Sequence, residues 1–186
     1  MNTLAEIYAR HPGSDKGTTH SYIEFYERWL APYRHTAQRV LEIGLSNGDS
    51  LRMWEEYFTH AEVWGVDRSD QPDGGRWDLR PIITEGTHHI AILDATDRAA
   101  VEARFGGMTF DIIIEDASHR IGEQLRIYAN FRWFFKPGLY IIEDVQDLDR
   151  DLACLRAIDP LRRVSIGDRR AMKGRYDDVL VVIDHE

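Results

Sequence analysis

Carboxylate side chains stand at the ends of several short apolar segments, where they could bind a cation or accept hydrogen bonds from hydroxyl groups. In chain order, these carboxylates are Glu42, Asp67, Asp94, Glu115 with Asp116, and Glu143 with Asp144. In open α/β sheets, ligands bind beyond the carboxyl ends of the strands. If the apolar segments are strands of one such sheet, we expect the carboxylates to converge on a single crevice.

A glycine-containing loop follows the first of these segments. It reads Gly44-Leu45-Ser46-Asn47-Gly48 and leads to a helix that we expect to begin near Ser50. Glycines let the backbone approach a ligand closely, and the positive end of a helix favours an anion. Asp67 lies about 20 residues further on, where an acid that binds ribose belongs, but the loop lacks the G-x-G-x-x-G spacing of dinucleotide folds.

A nucleoside with a small zwitterionic tail fits this arrangement better than a pyrophosphate does. The start of the helix would take the carboxylate of the tail, and Glu42 would lie near its ammonium group. Asp67 would accept two hydrogen bonds from the ribose diol. The pattern therefore predicts a nucleoside site beyond the first two strands.

The apolar segments have the composition of strands that are covered on both faces. They are short, nearly continuous and rich in β-branched residues, and they cover residues 39–44, 62–67, 89–94, 110–116 and 139–144. Segments with helical spacing lie between them, the longest with apolar residues at Ile121, Leu125, Tyr128, Phe131 and Phe135. This alternation predicts an α/β fold with right-handed crossovers and helices on both faces of the sheet.

Two regions lie outside this alternation. Residues 4–10 and 22–30 have the pattern of short helices on either side of a polar loop, residues 13–20. After the fifth strand, a further helix precedes two more apolar segments, 163–166 and 178–183, with turn residues between them. We therefore expect a mostly parallel sheet of seven strands whose last strand is antiparallel.

Length, charge and composition exclude several classes of protein. The 186 residues include 23 Lys and Arg against 32 Asp and Glu, a net charge of −9, and such an acidic surface repels a nucleic-acid backbone. No apolar run reaches the roughly 20 residues of a membrane span, and residues 1–10 lack the pattern of a signal peptide. The single Cys154 suits a reducing compartment. We expect a cytoplasmic protein without nucleic-acid or membrane partners.

Four motifs together carry a family resemblance. They are Ser14-Asp15-Lys16-Gly17 followed by His20 and Tyr22, Leu41-Glu42-Ile43-Gly44 followed by Ser50 to Trp54, Asp111 to His119, and Lys136-Pro137-Gly138 leading to Glu143-Asp144. Through them the sequence resembles the class I S-adenosylmethionine-dependent methyltransferases. More narrowly, it is similar to the metal-dependent sugar O-methyltransferases of macrolide biosynthesis and the related rhamnosyl and cephalosporin hydroxylase-like proteins.

The resemblance implies a fold and a domain organisation. We expect a Rossmann-like class I methyltransferase fold in a single domain over residues 1–186. Residues 1–35 would form a short N-terminal helical lid, and residues 36–186 would form the Rossmann-like core. The resemblance also implies a homo-oligomer, a dimer or a larger assembly.

The resemblance further implies two cofactors, S-adenosylmethionine and Mg²⁺. The residues expected at the S-adenosylmethionine site are Lys16, Tyr22, Glu42, Gly44, Ser46, Asn47, Gly48, Asp67, Asp94 and Asp116. Asp116, Glu143 and Asp144 would hold the metal ion, and His119 would act as the general base.

Physical chemistry supports a metal among these carboxylates. Three carboxylates within about 4 Å of one another repel by about 4 kcal/mol per pair at an effective dielectric constant of 20, and a divalent cation removes this cost. All-oxygen ligation favours Mg²⁺ or Mn²⁺ over Zn²⁺. Metal coordination lowers the pKa of a sugar hydroxyl, and a neutral His119 can accept its proton.

Two further details of the sequence bear on the predicted site. The family motif reads D-D-G-S-H, whereas this chain has Glu115 at its first position and Ala117 at its third, where a positive φ would strain alanine by about 1 kcal/mol. The adjacent His88 and His89 receive no ligand role, because neighbouring residues of an extended chain point to opposite faces.

We therefore predict a Mg²⁺-dependent O-methyltransferase that acts on a hydroxyl of a sugar or other polyol-bearing small molecule, in natural-product or glycan biosynthesis. Two other enzyme classes stay open. One is an NAD-dependent oxidoreductase that uses Asp67 on the ribose. The other is a metal-dependent hydroxylase or hydrolase that keeps the same carboxylate cluster.

Overall fold

The computed structural model describes residues 2–85 and 89–185, so His88 lies outside the described residues. Strands of one sheet have the bounds β1 Arg39–Ile43, β2 Glu62–Asp67, β3 His89–Ile92, β4 Phe110–Glu115, β5 Phe135–Ile142, β6 Arg163–Asp168 and β7 Val179–His185. Their order across the seven-stranded sheet is β3-β2-β1-β4-β5-β7-β6.

The pairing of the strands creates a crevice at the middle of the sheet. β1 to β5 pair in parallel, whereas β7 is antiparallel to both β5 and β6. The order reverses at β1, because β2 and β3 lie on one side of it and β4 and β5 on the other. Such a reversal opens a crevice beyond the carboxyl ends of the strands. The predicted mostly parallel sheet with an antiparallel last strand is confirmed.

Helices cover both faces of the sheet. Their bounds are α1 Leu4–Tyr8, α2 Asp15–Thr18, α3 Ile23–Leu30, α4 Asp49–Tyr57, α5 Pro72–Gly75, α6 Arg80–Glu85, α7 Arg98–Phe105, α8 Ile121–Phe131, α9 Leu148–Arg156 and α10 Arg170–Lys173, with a 3₁₀ turn at Ala31–Tyr33. Within the described ranges we find no helix with the length and hydropathy that a transmembrane span requires.

Alternate residues of the central strands face two separate cores. In β4, Ile112 and Ile114 pack in a core with residues of α1, α3 and α4, whereas Ile113 packs in a core with residues of α7, α8 and α9. All three isoleucines are fully buried. Burial of a side chain of this size stabilises a fold by about 1.5–3 kcal/mol. The nearly continuous apolar sequence of the strands is therefore explained by burial on both faces.

Two local expectations from the sequence are wrong. The polar loop at 13–20 contains a one-turn helix, α2, whose N-cap Ser14 accepts a hydrogen bond from the amide of Lys16. Phe135 begins β5 rather than continuing the helix before it, because it pairs with Phe110 of β4 while α8 ends at Phe131. Pairing with the neighbouring strand outweighs the helical spacing of this residue.

Candidate active site

A cavity of about 720 Å³ opens at the carboxyl ends of the parallel strands. Eight residues predicted for the site line it: Lys16, Gly44, Ser46, Asn47, Asp67, Asp94, Asp116 and His119. The other five predicted residues are buried and are not among its lining residues: Tyr22, Glu42, Gly48, Glu143 and Asp144. The predicted site residues therefore divide into a layer that lines the cavity and a layer that supports it.

Gly44 allows the ends of β1 and β4 to touch. It has a φ of +92°, and a Cβ atom built on it would lie 2.1 Å from the carbonyl oxygen of Asp116. The amide of Asp116 donates a hydrogen bond to the carbonyl of Ile43 at 2.8 Å. Both the backbone conformation and this close contact therefore require a glycine at position 44.

The loop after Gly44 leads directly into α4. Gly48 is the N-cap of this helix, with a φ of +79° and no side chain of its own to cap it. Asn47 links the loop to the N-terminal segment, because its Nδ2 donates to the carbonyl of Gly13 at 3.0 Å. The amide of Asp49, the first of α4, donates to Asn47 Oδ1 at 3.1 Å. The positive end of α4 next to the cavity favours small anions.

Asp67 is held at the end of β2 by two backbone amides. Its Oδ2 accepts from the amide of Leu45 at 2.9 Å, and its Oδ1 accepts from the amide of Ser69 at 3.2 Å. Each carboxylate oxygen keeps a further lone pair, so Asp67 can still accept hydrogen bonds from a diol. Asp94 follows β3, and hydrogen bonds from the hydroxyl and amide of Thr96 lower its pKa.

A second group of side chains lies at the ends of β4 and β5. His119 Nε2 is 3.1 Å from Asp116 Oδ1 and 3.6 Å from Asp144 Oδ2. One potential ligand atom from each of the three residues lies within 4.8 Å of the others, so the group can hold a metal ion. His119, predicted as the base, is therefore itself within reach of a shared ion.

Burial and charge perturb all three groups. Burial lowers the pKa of His119, but its hydrogen bond to Asp116 and the charges of the carboxylates outweigh this effect and raise the pKa to about 9. Burial and the charge of Asp116 raise the pKa of Asp144 to about 7. Asp116 is half-buried, yet Lys16 and His119 lower its pKa to about 2. Asp116 and Asp144 are thus neighbouring carboxylates whose pKa values are shifted in opposite directions.

These residues fit a divalent cation. Repulsion from Asp116 contributes to the raised pKa of Asp144, and a cation shared by both carboxylates would remove that repulsion. Carboxylate oxygens are the ligands that Mg²⁺ prefers.

Backbone strain is concentrated in the site. Among the described residues, the non-glycine residues with positive φ are Ser46 at 48°, His119 at 55° and Asp144 at 56°. Such conformations cost of order 1–3 kcal/mol each and persist only where the surroundings hold them. Ala117 is not among them, so the alanine that replaces the family's glycine escapes the strain considered above.

Tyr22 lies behind Asp144, although the sequence placed it at the cofactor site. Its hydroxyl donates to Asp144 Oδ1 at 2.6 Å and lies 3.0 Å from the carbonyl oxygen of Asp177. The ring of His20 stacks on Tyr22 with 4.7 Å between centroids, and His20 Nδ1 is 3.3 Å from Asp144 Oδ1. The N-terminal segment therefore orients a carboxylate of the cluster, while contact between Tyr22 and the cofactor stays a prediction.

Glu143 binds a lysine in this structure. Its Oε1 accepts a hydrogen bond from Lys16 Nζ at 2.6 Å and another from the hydroxyl of Tyr26. Lys16 Nζ is also 2.7 Å from Asp116 Oδ2 and 3.4 Å from Glu42 Oε1. Burial lowers the pKa of Lys16, but these carboxylates raise it well above its usual value. The prediction that Glu143 binds the metal stays a prediction.

Sequence reasoning missed two supports of Glu143. Tyr26 donates to its carboxylate, and Gln124 Nε2 donates to its backbone carbonyl at 2.8 Å. Tyr26 lies four residues after Tyr22, on the same side of the helix, and this spacing was an available signal. A buried glutamine on α8 carried no signal that would distinguish it from a surface residue.

Comparison with curated proteins finds sugar methyltransferases, although no protein-family model matches the chain. The chain is 32% identical over 151 residues to the 8-demethyl-8-alpha-L-rhamnosyl tetracenomycin-C 2'-O-methyltransferase of Streptomyces olivaceus, covering 77% of this chain and 38% of the relative. It is 33% identical over 150 residues to the mycinamicin VI 2''-O-methyltransferase of Micromonospora griseorubida, covering 76% and 36%. The chain thus spans less than two fifths of the length of these relatives.

Solved structures with the same architecture are also methyltransferases. MycE methyltransferase from the mycinamycin biosynthetic pathway, in complex with Mg and SAH, has a TM-score of 0.66 at 22% identity, over 99% of this chain and 49% of that chain. A putative caffeoyl-CoA O-methyltransferase from Staphylococcus aureus has a TM-score of 0.58 at 14% identity, over 92% and 95%.

The structural matches and the sheet order define the class of the fold. The chain has the Rossmann-like fold of the class I methyltransferases, as the sequence predicted. Within that class, its sequence relatives are sugar O-methyltransferases of macrolide and tetracenomycin pathways. The family resemblance carried by the four motifs is thereby confirmed.

The first prediction concerns the contact between β1 and β4. Gly44→Ala should destabilise the protein by more than about 3 kcal/mol, because it adds backbone strain and drives a Cβ into the carbonyl of Asp116. Gly107→Ala is the matched control: its φ is +83° with nothing within 4 Å of the added Cβ, so it should cost about 1 kcal/mol. Urea unfolding measures both, and equal losses would contradict the contact.

Proposed function

We propose that this protein is a Mg²⁺-dependent, S-adenosylmethionine-dependent O-methyltransferase that acts on a hydroxyl of a sugar or other polyol-bearing small molecule. The supporting observation is the shared cavity: Asp116 and His119 line the same cavity as Gly44 and Asp67, and Asp144 lies directly behind His119. A nucleoside cofactor and an ion-binding cluster would be neighbours there.

The cavity suits S-adenosylmethionine in size and in the placement of its polar groups. Its volume of about 720 Å³ lies within the range of roughly 300–1,000 Å³ that is usual for small-molecule sites. Asp67 would bind the ribose diol, and the positive end of α4 would bind the carboxylate of the methionine part. Asp94 would lie at the far end of the nucleoside.

Asp116 and Asp144 would hold the metal ion, with Glu143 as the third predicted ligand. When bound, the ion would lower the pKa of a substrate hydroxyl and orient it. His119 would take the proton of that hydroxyl at Nε2, which requires a neutral imidazole. The carboxylates of Asp116 and Asp144 hold the pKa of His119 at about 9. A cation bound to these carboxylates would therefore be needed to bring the imidazole to its neutral form at neutral pH.

The chain's own residues would position a direct displacement. The hydroxyl oxygen would form a bond to the sulfonium methyl carbon as the bond from that carbon to sulfur breaks, and S-adenosylhomocysteine would leave. His119 receives the hydroxyl proton, so charge and atoms balance. Asp67 and the Gly44 loop would hold the cofactor in line with the acceptor, which is the main source of rate in such a transfer.

The sequence relatives support a sugar as the acceptor. Their names specify O-methylation on rhamnosyl tetracenomycin and on mycinamicin VI, which are glycosylated natural products or their precursors by those names. Vicinal sugar hydroxyls could also chelate one ion together. All the relatives and structures named above are methyltransferases, which favours this function over the oxidoreductase and the hydroxylase or hydrolase.

We further propose that residues 1–35 act as a lid on the core formed by residues 36–186. Asn47 contacts Gly13, and Tyr22 contacts Asp144. This segment therefore touches both the loop at residues 44–48 and the ion-binding cluster, which consists of Asp116, His119 and Asp144. The homo-oligomeric state and the cytoplasmic location stay predictions.

The second prediction tests the nucleoside site. Asp67→Asn should weaken the binding of S-adenosylhomocysteine by about 10-fold or more, because hydrogen bonds to a charged group contribute about 1.5–3 kcal/mol. Isothermal titration calorimetry measures the affinity. Asp70→Asn, an exposed aspartate three residues later, should bind as the unchanged protein does. Unchanged affinity in Asp67→Asn would contradict the assignment.

The third prediction tests the base. His119→Ala should lower methyl transfer by about 100-fold while leaving the affinity for S-adenosylhomocysteine within about 2-fold. Transfer of a radiolabelled methyl group from S-adenosylmethionine to a panel of glycosides, beginning with rhamnosides, measures the rate. His89→Ala, which removes a ring stacked on Trp64 at 4.3 Å, is the control and should keep full activity. A rate in His119→Ala equal to that of the unchanged protein would remove this residue from the reaction.

The fourth prediction tests the metal site. Asp144→Asn should weaken Mg²⁺ binding at least 10-fold, whereas Asp149→Asn, an exposed aspartate on α9, should leave it unchanged. Calorimetry with Mg²⁺ gives the affinity, and EDTA should abolish methyl transfer by the unchanged protein. Equal Mg²⁺ affinity in both variants, or turnover that survives EDTA, would contradict the metal-dependent mechanism.

A further inference from the structure

Lys16 connects the N-terminal segment to the tips of three strands. It lies on α2, and its ammonium group contacts Glu42 of β1, Asp116 after β4 and Glu143 after β5, at 3.4, 2.7 and 2.6 Å. The Lys16 side chain is only 1% exposed. Glu42 and Glu143 are equally shielded, with side-chain exposures of 0% and 2%. The positive charge of this lysine is therefore shared among carboxylates and not with water.

Asp116 belongs to two groups at once. Its Oδ2 accepts from Lys16, while its Oδ1 faces His119 and the ion-binding cluster. A lysine ammonium and a metal ion at this cluster would therefore share one carboxylate and repel each other at short range. The repulsion between like charges falls with distance but is strong in a buried site.

We propose that Lys16 is a built-in counter-cation, which allows the buried carboxylates to fold together without a metal ion and which weakens the binding of Mg²⁺ to Asp116 and Asp144. This inference rests on the proposed metal site. Lys16 thereby acts as a positioning residue of that site: its ammonium group, carried on the lid, sets how strongly the protein depends on the ion.

The need to attach the N-terminal segment to the core does not by itself explain the buried charge of Lys16. Lys173 of α10 already holds the same segment, because its ammonium group donates to the carbonyls of Gly17, Thr18 and His20. Ser21 adds hydrogen bonds to Asp178 through its amide and hydroxyl groups. Lys173 is therefore a matched comparison. It fastens the same segment, but within the described part of the chain its ammonium group does not contact Glu42, Asp116 or Glu143.

The metal-free arm of the test uses Lys16→Met and Lys173→Met of the full chain in EDTA, with thermal unfolding as the readout. Lys16→Met should lower the Tm by about 10 °C or more, because it leaves buried carboxylates without a counter-charge. Adding Glu143→Gln to Lys16→Met should restore part of this loss. Lys173→Met should lower the Tm by less, and Glu143→Gln should not restore it.

The metal arm uses MgCl₂ and calorimetry. Lys16→Met should bind Mg²⁺ about 10-fold more tightly than the unchanged protein, and Mg²⁺ should raise its Tm by more. Lys16→Arg keeps the charge and should resemble the unchanged protein in its gain of Tm with Mg²⁺, while Lys173→Met should keep the original Mg²⁺ affinity.

The outcomes separate this inference from the proposed function. Equal or weaker Mg²⁺ binding in Lys16→Met, a metal-free Tm no lower than that of Lys173→Met, or a Lys16→Met protein that Mg²⁺ does not rescue would overturn the role of Lys16. Absence of Mg²⁺ binding to the unchanged protein would instead overturn the metal site, and the weakening of Mg²⁺ binding assigned to Lys16 would fall with it. The metal-free arm would then still decide whether Lys16 supplies the counter-charge.

Discussion

Negative charge is buried where the central parallel strands of the sheet reach their carboxyl ends, and it must be compensated there for the protein to fold. Parallel strands bring Glu42, Asp116 and Glu143 together there, and the ammonium group of Lys16 contacts all three. Asp144 is oriented separately by Tyr22. Charges removed from water are costly unless they are paired, so the N-terminal segment that carries both Lys16 and Tyr22 is part of the site and not an accessory to it.

The reversal of strand order between β1 and β4 makes this edge a site. The helices that follow these two strands pack on opposite faces of the sheet, so a crevice opens between them. Gly44 lets the two strand ends approach so closely that the backbone of Asp116 occupies the space that a side chain at position 44 would need. The loop proposed to hold the nucleoside and the cluster proposed to hold the ion thus meet at one contact. Positive φ at His119 and Asp144 shows that the backbone is held against its preference at the same place.

The sequence predicts the sheet and the location of the site better than it predicts the partners within the site. Acidic residues at strand ends were sufficient to place Asp67, Asp116 and Asp144, because periodicity identifies strands and topology gathers their ends. The partner of Glu143 was not predictable, because Lys16 lies 127 residues earlier in the chain and only tertiary structure brings them together. Phe135 shows the same limit in the fold, since pairing with β4 overrides a helical spacing.

Asp116 and Asp144 are proposed to hold a divalent cation beside a nucleoside cofactor. The most direct measurement is anomalous diffraction from crystals grown with S-adenosylhomocysteine and MnCl₂. We expect one anomalous peak in contact with both carboxylates, next to an ordered S-adenosylhomocysteine whose ribose is bound by Asp67. An ordered S-adenosylhomocysteine with no anomalous density between Asp116 and Asp144 would contradict it.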